Sequence, residues 1–295
     1  MENEIQNFIS YLHNTKKTSG NTEVSYERDL RKMMRYLEGE QGITEVTQVT
    51  ETNLNSYMLY LERRHFAAST VSRSVASMRA FFQYLYREKR IPSDPAEHLK
   101  PPKVEKKMPE ILTVAEVDLL MAQPSGNTPK GLRDKAMLEL LYATGIRVSE
   151  LIHLRLEDVN LSMGYITCRD GEKERIIPFG SVAKRALHSY LNQARESFLG
   201  GEDTGVLFTN CSGRPMSRQG FWKVLKGYAG SAGIRKDITP HTLRHSFAAH
   251  LIQNGADVKS VQEMMGHSDI STTQMYVNMN VYKIRDVYAK AHPRN

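Results

Sequence analysis

The sequence predicts a mainly α-helical fold with a small antiparallel β-sheet, divided into two domains. Apolar residues recur at helical spacing along most of the 295 residues, two short β-prone runs flank an Asp-Gly pair, and a proline-rich segment interrupts the helical pattern. Hydrophobic residues make up 40% of the chain, which is enough apolar material for packed cores. We therefore expect a helical domain at residues 1–90, a linker at 91–110 and a second domain at 111–295.

Four amphipathic helices are predicted in the first 90 residues. In each of them apolar residues recur at i, i+3, i+4 and i+7, the spacing that lines one face of a helix. These residues are Ile5, Phe8, Ile9 and Leu12; Tyr26, Leu30, Met33, Met34 and Leu37; Leu54, Tyr57, Met58 and Leu61; and Val71, Val75, Met78, Phe82 and Leu85. Ser69 is the predicted N-cap of the fourth helix.

The other face of the fourth helix carries short hydroxyl side chains and arginine. Its residues are Thr70, Ser72, Arg73, Ser74, Ser77 and Arg79. Hydroxyls and guanidinium groups are side chains that contact DNA phosphates, so Arg73 and Arg79 are candidate DNA-binding residues. A solvated polar face without a ligand has the same composition, and the sequence leaves both interpretations open.

The predicted linker combines five prolines with four lysines. Proline bars helix continuation, and a proline-rich chain is extended and semi-rigid, so the segment can hold two domains apart. The lysines are Lys100, Lys103, Lys106 and Lys107. They would favour a path along DNA, but they would equally keep an extended linker soluble.

The second domain begins with a predicted capping box, Thr113 and Glu116, and is mostly helical. Two β-prone runs, 165–168 and 175–179, lie on either side of Asp170-Gly171, a pair typical of hairpin turns. Residues 206–209 are a candidate third strand. We expect a helical domain that carries a small antiparallel sheet.

Charge and composition limit the class of protein. The chain has 40 Lys and Arg against 33 Asp and Glu, a net charge of +7, which suggests a polyanionic partner without requiring one. No run approaches the roughly 18 apolar residues of a membrane helix, and the N-terminus MENEIQNF does not resemble a secretory signal. The two cysteines, Cys168 and Cys211, have no metal-binding spacing. We expect a cytoplasmic protein with no metal or other cofactor.

The segment ITPHTLRHSFAAHLIQNG concentrates polar side chains on one predicted helix. Thr239 suits its N-cap, Pro240 its first position and Gly255 its end. His241 and Arg244 share a face at the helix N-terminus, where exposed amides favour an anion, so they are a candidate phosphate site. An ordinary surface histidine beside an arginine is the alternative. A metal site is disfavoured because no carboxylate or thiolate lies at ligand spacing from the histidines of this helix.

Two further motifs place polar side chains beside predicted turns. Gly266 suits the end of a helix, with His267 in the following turn and Tyr276 about one turn inside the next helix. Arg147 follows a Thr-Gly turn, and Glu150 lies three residues on, beside it on the next helix. Taken singly, the tyrosine is also consistent with core packing and the arginine with an ordinary ion pair.

Three segments together resemble a known family. They are ATGIRVSELIHL, PHTLRHSFAAHLIQNGAD and MMGHSDISTTQMY, in that order behind a helical domain and a basic linker. The chain is similar to the tyrosine recombinases of the phage integrase family, and most similar to their Xer branch. The resemblance implies a SAM-like four-helix core-binding domain and a catalytic domain that cuts and rejoins DNA through a 3′-phosphotyrosyl intermediate.

The resemblance also implies a role for each motif residue. The implied site consists of Tyr276 as the nucleophile, Arg147 and Arg244 as the clamp on the scissile phosphate, His241 and His267 as hydrogen-bonding and proton-managing partners, and Glu150 as a supporting acidic residue. Because the phosphate ester passes from DNA to the tyrosine and back, neither ATP nor a metal is required.

One position departs from the family pattern. The family's general acid is a hairpin lysine, commonly within a GKGxKxR run, whereas this chain reads CRDGEKER and has Asp170 at that position. An ionised aspartate cannot protonate the leaving 5′ oxygen. We take Lys173, the nearest lysine, as the candidate acid; Arg169, His267 and water are the alternatives.

The resemblance implies a double-stranded DNA target, a C-shaped grip on it and a tetramer on DNA. It further implies chromosome dimer resolution and segregation, with a second related recombinase and a DNA translocase as partners. The apolar residues after Tyr276, at 281, 284, 287 and 288, would dock on a neighbouring subunit or pack on their own domain. Three alternatives stay open: a mobile-element integrase of the same family, a DNA-binding protein of this fold with weakened catalysis, and a metal-dependent nuclease, which the lack of clustered carboxylates disfavours.

Overall fold

The computed structural model describes residues 1–104, 109–170, 173–200 and 203–266, with the backbone alone described for Asp170 and Lys173. The chain divides into two compact units, Met1–Lys107 and Met108–Asn295. Within the described ranges, no helix is both long enough and apolar enough to cross a membrane.

The N-terminal unit contains the four amphipathic helices that the apolar spacing predicts. They are α1 (Glu2–Asn14), α2 (Gly20–Gln41), α3 (Glu51–Arg63) and α4 (Ala68–Arg87), with a 3₁₀ helix at Val46–Gln48. The Ser19 hydroxyl caps α2, and Thr50 with Asn53 forms a capping box on α3. The predicted apolar faces meet in one core, so this part of the prediction is confirmed.

Helix α4 differs from its prediction at its start and on its polar face. It begins at Ala68 with Ala67 as N-cap, so Ser69 lies inside the first turn and is not the cap. Ser74 and Ser77, predicted to lie on the polar face, are only 2% and 0% exposed. The reason is that α4 packs against α1, α2 and α3, which buries a wider strip of its surface than one neighbour would.

The first part of the predicted linker packs against the N-terminal helices. Ile91, Ala96 and Leu99 are buried in the same core as α1–α4. The Asp94 carboxylate accepts a hydrogen bond from the backbone N–H of Ala96 at 2.8 Å, which holds the turn between them. Apolar side chains spaced between the prolines therefore extend the N-terminal unit beyond its last helix.

In the C-terminal unit, seven α-helices lie within the described residues. They are α5 (Val114–Met121), α6 (Pro129–Thr144), α7 (Val148–His153), α8 (Ser181–Gln193), α9 (Arg218–Ser231), α10 (Pro240–Gln253) and α11 (Val258–Met265). The predicted capping box on α5 is confirmed: the Glu116 N–H donates to Thr113 Oγ1 at 3.1 Å, and the Thr113 N–H donates to Glu116 Oε2 at 2.7 Å. Helix α6 packs against α5, α7, α8 and α10 and forms the centre of the unit.

The small antiparallel sheet is confirmed, but its third strand is not the predicted one. Strands β1 (Val159–Asn160), β2 (Tyr165–Asp170) and β3 (Lys173–Pro178) pair in that order. Residues 206–209 form two isolated bridges, from Val206 to Arg155 and from Thr209 to Pro215. Leu207 is fully buried, and its backbone groups bond to the Leu154 carbonyl and the Tyr190 hydroxyl instead of to a strand. A short apolar run therefore predicted burial correctly and pairing incorrectly.

Candidate active site

Helix α10 presents His241 and Arg244 as the sequence predicts. Thr239 caps the helix by accepting from the Thr242 N–H at 3.2 Å, and Pro240 occupies its first turn. The cap leaves His241 exposed in the first turn and turns Arg244, one turn later, into the interior, where it is 4% exposed. The two side chains thus share one helical face at different depths.

The Arg147 motif is built around a left-handed glycine. Helix α6 ends at Thr144 and is capped by Gly145, whose φ of 60° turns the chain and whose N–H donates to the Leu141 carbonyl. Arg147 then caps α7, and its backbone N–H donates to Glu150 Oε2 at 2.7 Å while its Nη1 donates to Oε1 at 3.1 Å. Glu150 therefore fixes both the main chain and the guanidinium of Arg147.

The two predicted clamp arginines meet at the C-terminal end of α11. Arg244 donates from Nη1 to the Gly145 carbonyl and from Nη2 to the Met265 carbonyl, both at 2.5 Å. Arg147 donates from Nη2 to the Gly266 carbonyl at 2.8 Å. The last carbonyls of a helix carry its negative dipole end and attract cations. The fold therefore brings together two guanidinium groups that are 97 positions apart in the sequence, from 147 to 244.

The surroundings of His241 and His245 favour their neutral forms. The pKa of His241 lies below its ordinary value because part of the ring is withdrawn from water and because Arg244 and Arg147 are cationic neighbours. Burial, with His241 and Arg244 nearby, lowers the pKa of His245 to about 4. A neutral imidazole at position 241 is able to accept a proton at neutral pH.

Arg175 on β3 belongs to the same cluster, although it is not among the site residues predicted from the sequence. It lies opposite buried Cys168 in the hairpin and donates from Nη2 to Glu150 Oε1 at 2.7 Å and from Nε to the Met264 carbonyl at 3.1 Å. The available signal was the predicted strand at 175–179. Side chains two residues apart on a strand lie on the same face, so Arg175 shares the inner face of the sheet with buried Ile177. A charged residue on a buried strand face indicates a specific partner.

Some of the predicted site residues lie outside the described part of the chain, and for others only the backbone is described. His267 and Tyr276 lie outside the described residues, as do Lys106, Lys107 and the apolar segment at 281–288. The backbones of Asp170 and Lys173 pair directly across the end of the hairpin. Arg169, one of the alternatives to Lys173, bonds to Asp158 and lies 3.4 Å from Glu174. It also lines an open cleft of about 410 Å³ with Arg147, Ser149, Glu150 and His153.

The predicted DNA-binding residues of the N-terminal unit differ in their surroundings. Arg73 makes a two-point ion pair with Asp29, at 2.7 Å from Nε and 3.0 Å from Nη2, and Asp29 is 3% exposed. Arg79 and Lys103 are exposed. Part of the hydrogen-bonding capacity of Arg73 is therefore used to join α2 to α4, whereas Arg79 faces solvent. DNA contact by these three residues stays a prediction.

The family of the chain follows from comparison with known proteins. Residues 110–282 match the phage integrase family, and residues 5–89 match the N-terminal SAM-like domain of phage integrases. The chain belongs to the phage integrase family and is a tyrosine recombinase, an enzyme that breaks and rejoins DNA strands.

Its curated relatives lie in the Xer branch, which confirms the resemblance. Tyrosine recombinase XerD of Halalkalibacterium halodurans is 48% identical over 295 residues, covering 100% of this chain and 99% of the relative. XerD of Staphylococcus aureus strain Mu50 is 44% identical over 295 residues, covering 100% of both chains. Among solved structures, a post-cleavage complex of XerH with a palindromic difH substrate has a TM-score of 0.76 at 20% identity, covering 92% of this chain and 80% of that one. A lambda integrase dimer on a COC′ core site has a TM-score of 0.72 at 16% identity, covering 94% of each chain. These two likenesses show the fold.

Proposed function

We propose that this protein is a site-specific recombinase of the bacterial chromosome, acting in the cytoplasm in chromosome dimer resolution. In the proposed reaction each active subunit cuts one strand of a duplex and becomes joined to it through a 3′-phosphotyrosyl bond at Tyr276. The observation that carries the proposal is the convergence of Arg147 and Arg244 at the end of α11, the helix after which the chain continues towards His267 and Tyr276. His241 lies near enough to both arginines for their charges to lower its pKa. Full-length similarity to proteins named XerD supports the chromosomal role.

The two arginines suit the stabilisation of charge at phosphorus. Attack on a phosphodiester gives a pentacovalent phosphorus that carries extra negative charge on its non-bridging oxygens. Planar guanidinium groups donate hydrogen bonds to such oxygens in pairs, and donors held in place before the reaction need no reorganisation. Here Arg147 is held by Glu150 and Gly266, and Arg244 by Gly145 and Met265. These contacts hold the clamp in a defined geometry.

The reaction needs a proton acceptor and a proton donor, which we assign to His241 and to the β2–β3 hairpin. Only about one tyrosine in a thousand is ionised at pH 7, so Tyr276 needs an acceptor for its phenolic proton. His241, kept neutral by its surroundings, accepts that proton as the Tyr276 oxygen bonds to phosphorus. The bond from phosphorus to the 5′ oxygen breaks, and the leaving oxygen takes one proton. Rejoining reverses these transfers, so no net proton or energy source is consumed.

We propose Lys173 as the donor of the leaving-group proton. The Lys173→Ala variant is expected to cleave ordinary DNA about a hundredfold more slowly, the usual scale of a general acid, and to cleave a 5′-phosphorothiolate substrate at close to the wild-type rate. The sulfur leaving group needs no protonation, which isolates the proton transfer. Rates of covalent-adduct formation on the two substrates give the measurement.

The control for Lys173 is Lys184→Ala, which removes an exposed lysine of α8 in the same unit. Equal slowing of Lys173→Ala on both substrates would assign the proton to another group. Running Arg169→Gln in parallel tests the nearest alternative cation.

We further propose a tetramer on two duplexes, completed by a second related recombinase and driven by a DNA translocase. Such an assembly is what an exchange of strands between two duplexes requires when each subunit cuts one strand. The relative XerH was solved on its difH substrate, and the Tn1549 transposon integrase, at 20% identity and a TM-score of 0.73, on circular intermediate DNA. Both likenesses show the fold alone and so do not distinguish a chromosomal role from a mobile-element role, which is the second candidate. Genes of a mobile element beside the gene for this protein would favour that second role.

The test of the proposal is a covalent complex that depends on Tyr276. Duplexes selected for binding from a random-sequence pool are nicked, incubated with the protein in EDTA and run on a denaturing gel. Wild type is expected to give a protein–DNA adduct, Tyr276→Phe none, and the neighbouring control Tyr282→Phe the wild-type amount. If wild type yields no more adduct than Tyr276→Phe, the protein binds DNA without this chemistry. A released product that requires added magnesium would indicate a metal-dependent nuclease.

A further inference from the structure

Arg175 has three contacts that no assigned role explains. Its side chain is 16% exposed on the inner face of the hairpin, where it meets Glu150 and the Met264 carbonyl. Its third contact is the backbone at Gly266: a Cβ built there would lie 2.9 Å from Arg175 Cζ and 3.0 Å from Nη1. Gly266 therefore leaves room for the guanidinium to lie against the main chain of the turn that ends α11.

The contacts of Arg175 join three separate elements of the site. Through Glu150 Oε1, which also accepts from Arg147 at 3.1 Å, Arg175 shares its carboxylate partner with a clamp arginine. Through the Met264 carbonyl it holds the last turn of α11. Arg175, Arg244 and Arg147 thus donate to three consecutive carbonyls, those of residues 264, 265 and 266.

The position of Arg175 in the sheet makes these contacts dependent on the hairpin. Arg175 follows the hairpin turn by only a few residues, and its register opposite Cys168 is set by the pairing of β2 with β3. A movement of the hairpin along its own axis would pull the guanidinium away from both acceptors. Without this donor, the Glu150 carboxylate would keep Arg147 as its cationic partner, and the direction of the Glu150–Arg147 ion pair would be less constrained.

We propose that Arg175 is a positioning residue for strand cleavage. It couples the β2–β3 hairpin to the clamp through Glu150 and holds the end of α11, from which the chain continues to His267 and Tyr276. The inference rests on the proposed function, because cleavage is the reaction that the positioning serves. It adds a residue that acts through others and does not itself touch the phosphate.

The test separates positioning from binding and from general stability. Three variants are compared with wild type: Arg175→Gln, Arg175→Lys, and Glu174→Gln as the control, the exposed neighbour on the same strand. Affinity for the selected duplex is measured by gel shift, and the rate of adduct formation is measured at saturating protein in a single turnover. Hydrogen exchange is followed in the peptides spanning residues 258–266 (α11) and 240–253 (α10).

We expect Arg175→Gln to bind DNA within about threefold of wild type and to form adduct at least about tenfold more slowly at saturation. Faster exchange in α11, with α10 unchanged, should accompany the slower cleavage. Arg175→Lys should recover part of the rate, since an ammonium keeps the charge but cannot reproduce the two-acceptor geometry. Glu174→Gln should match wild type in all three measurements.

An unchanged saturating rate in Arg175→Gln, or a rate that falls only in proportion to DNA affinity, would overturn the proposal. If Arg175→Gln does not fold, Arg175→Lys decides by the same criteria. If wild type itself forms no adduct, the proposed function fails. The exchange measurement then judges the Arg175 contact alone, and unchanged protection of α11 in the folded variant refutes it.

Discussion

Replacement of Arg244 by lysine is expected to slow covalent-adduct formation by about two to three orders of magnitude, the scale seen when a preorganised donor to a developing anion is lost. Lysine keeps the positive charge but presents it at one point. It cannot span the Gly145 and Met265 carbonyls, which Arg244 holds at 2.5 Å on two sides. Rates are measured on the nicked duplex at saturating protein.

The same substitution is expected to lower the free energy of unfolding by about 1–3 kcal/mol, because one buried carbonyl loses its charged donor. The chain has a single tryptophan, Trp222 on α9, so its fluorescence reports the unfolding of the C-terminal unit. Comparing rates at a temperature where both proteins are folded separates the two effects. The control is Arg185→Lys, an exposed arginine of α8, expected to leave rate and stability unchanged. A wild-type rate in Arg244→Lys would remove Arg244 from the clamp.

Replacement of Gly145 by alanine is expected to destabilise the C-terminal unit by about 2–5 kcal/mol, because it combines a strained left-handed residue with an overpacked core. Gly145 has a φ of 60°, and a Cβ there would lie 2.1 Å from Cδ1 of Phe247, which is 6% exposed. The ring or the α6–α7 turn must therefore move. Because the Gly145 carbonyl accepts from Arg244 and Arg147 follows two residues later, cleavage should fall together with stability.

Denaturant unfolding followed by Trp222 fluorescence measures this cost. Gly227→Ala is the matched control: Gly227 lies inside α9 with no atom within 4 Å of an added Cβ, and the substitution should stabilise by about 0.5–1 kcal/mol. In the double variant Gly145→Ala/Phe247→Leu, relief of the contact should recover the packing part of the loss and leave the backbone part. Stability equal to wild type in Gly145→Ala would contradict the close approach.

Local patterns in the sequence predict much of the fold. The apolar spacing of the N-terminal helices, the Thr113–Glu116 capping box and the Thr239–Pro240 helix start all depend on residues within a few positions of one another. Interactions of this kind retain their preference in almost any tertiary setting, so the sequence reports them directly. The hairpin at Asp170 is predicted for the same reason, because turn chemistry is local.

Apart from the N-cap of α4, which is Ala67 and not the predicted Ser69, the failures of prediction depend on contacts between distant parts of the chain. Ser74 is buried because α4 has three helical neighbours, and residues 206–209 leave the sheet because their backbone groups find partners in Leu154 and Tyr190. DNA contact by Arg73 stays a prediction, and the Arg73–Asp29 ion pair, which no local pattern predicts, likewise spans 44 positions of sequence. None of these contacts can be predicted from a window of neighbouring residues, because each depends on which distant group the fold brings close.

The sequence by itself determined the family of this protein and predicted which residues react, because three motifs occur in a set order with spacings that suit helix starts and turns. Only the tertiary structure decided how those residues are held. It placed Arg147, Arg244 and Arg175 on consecutive carbonyls at the end of α11, and it made Glu150 a partner of two arginines at once. The physical reason is that a guanidinium binds whichever acceptors its distant neighbours present, and residue order alone does not specify them.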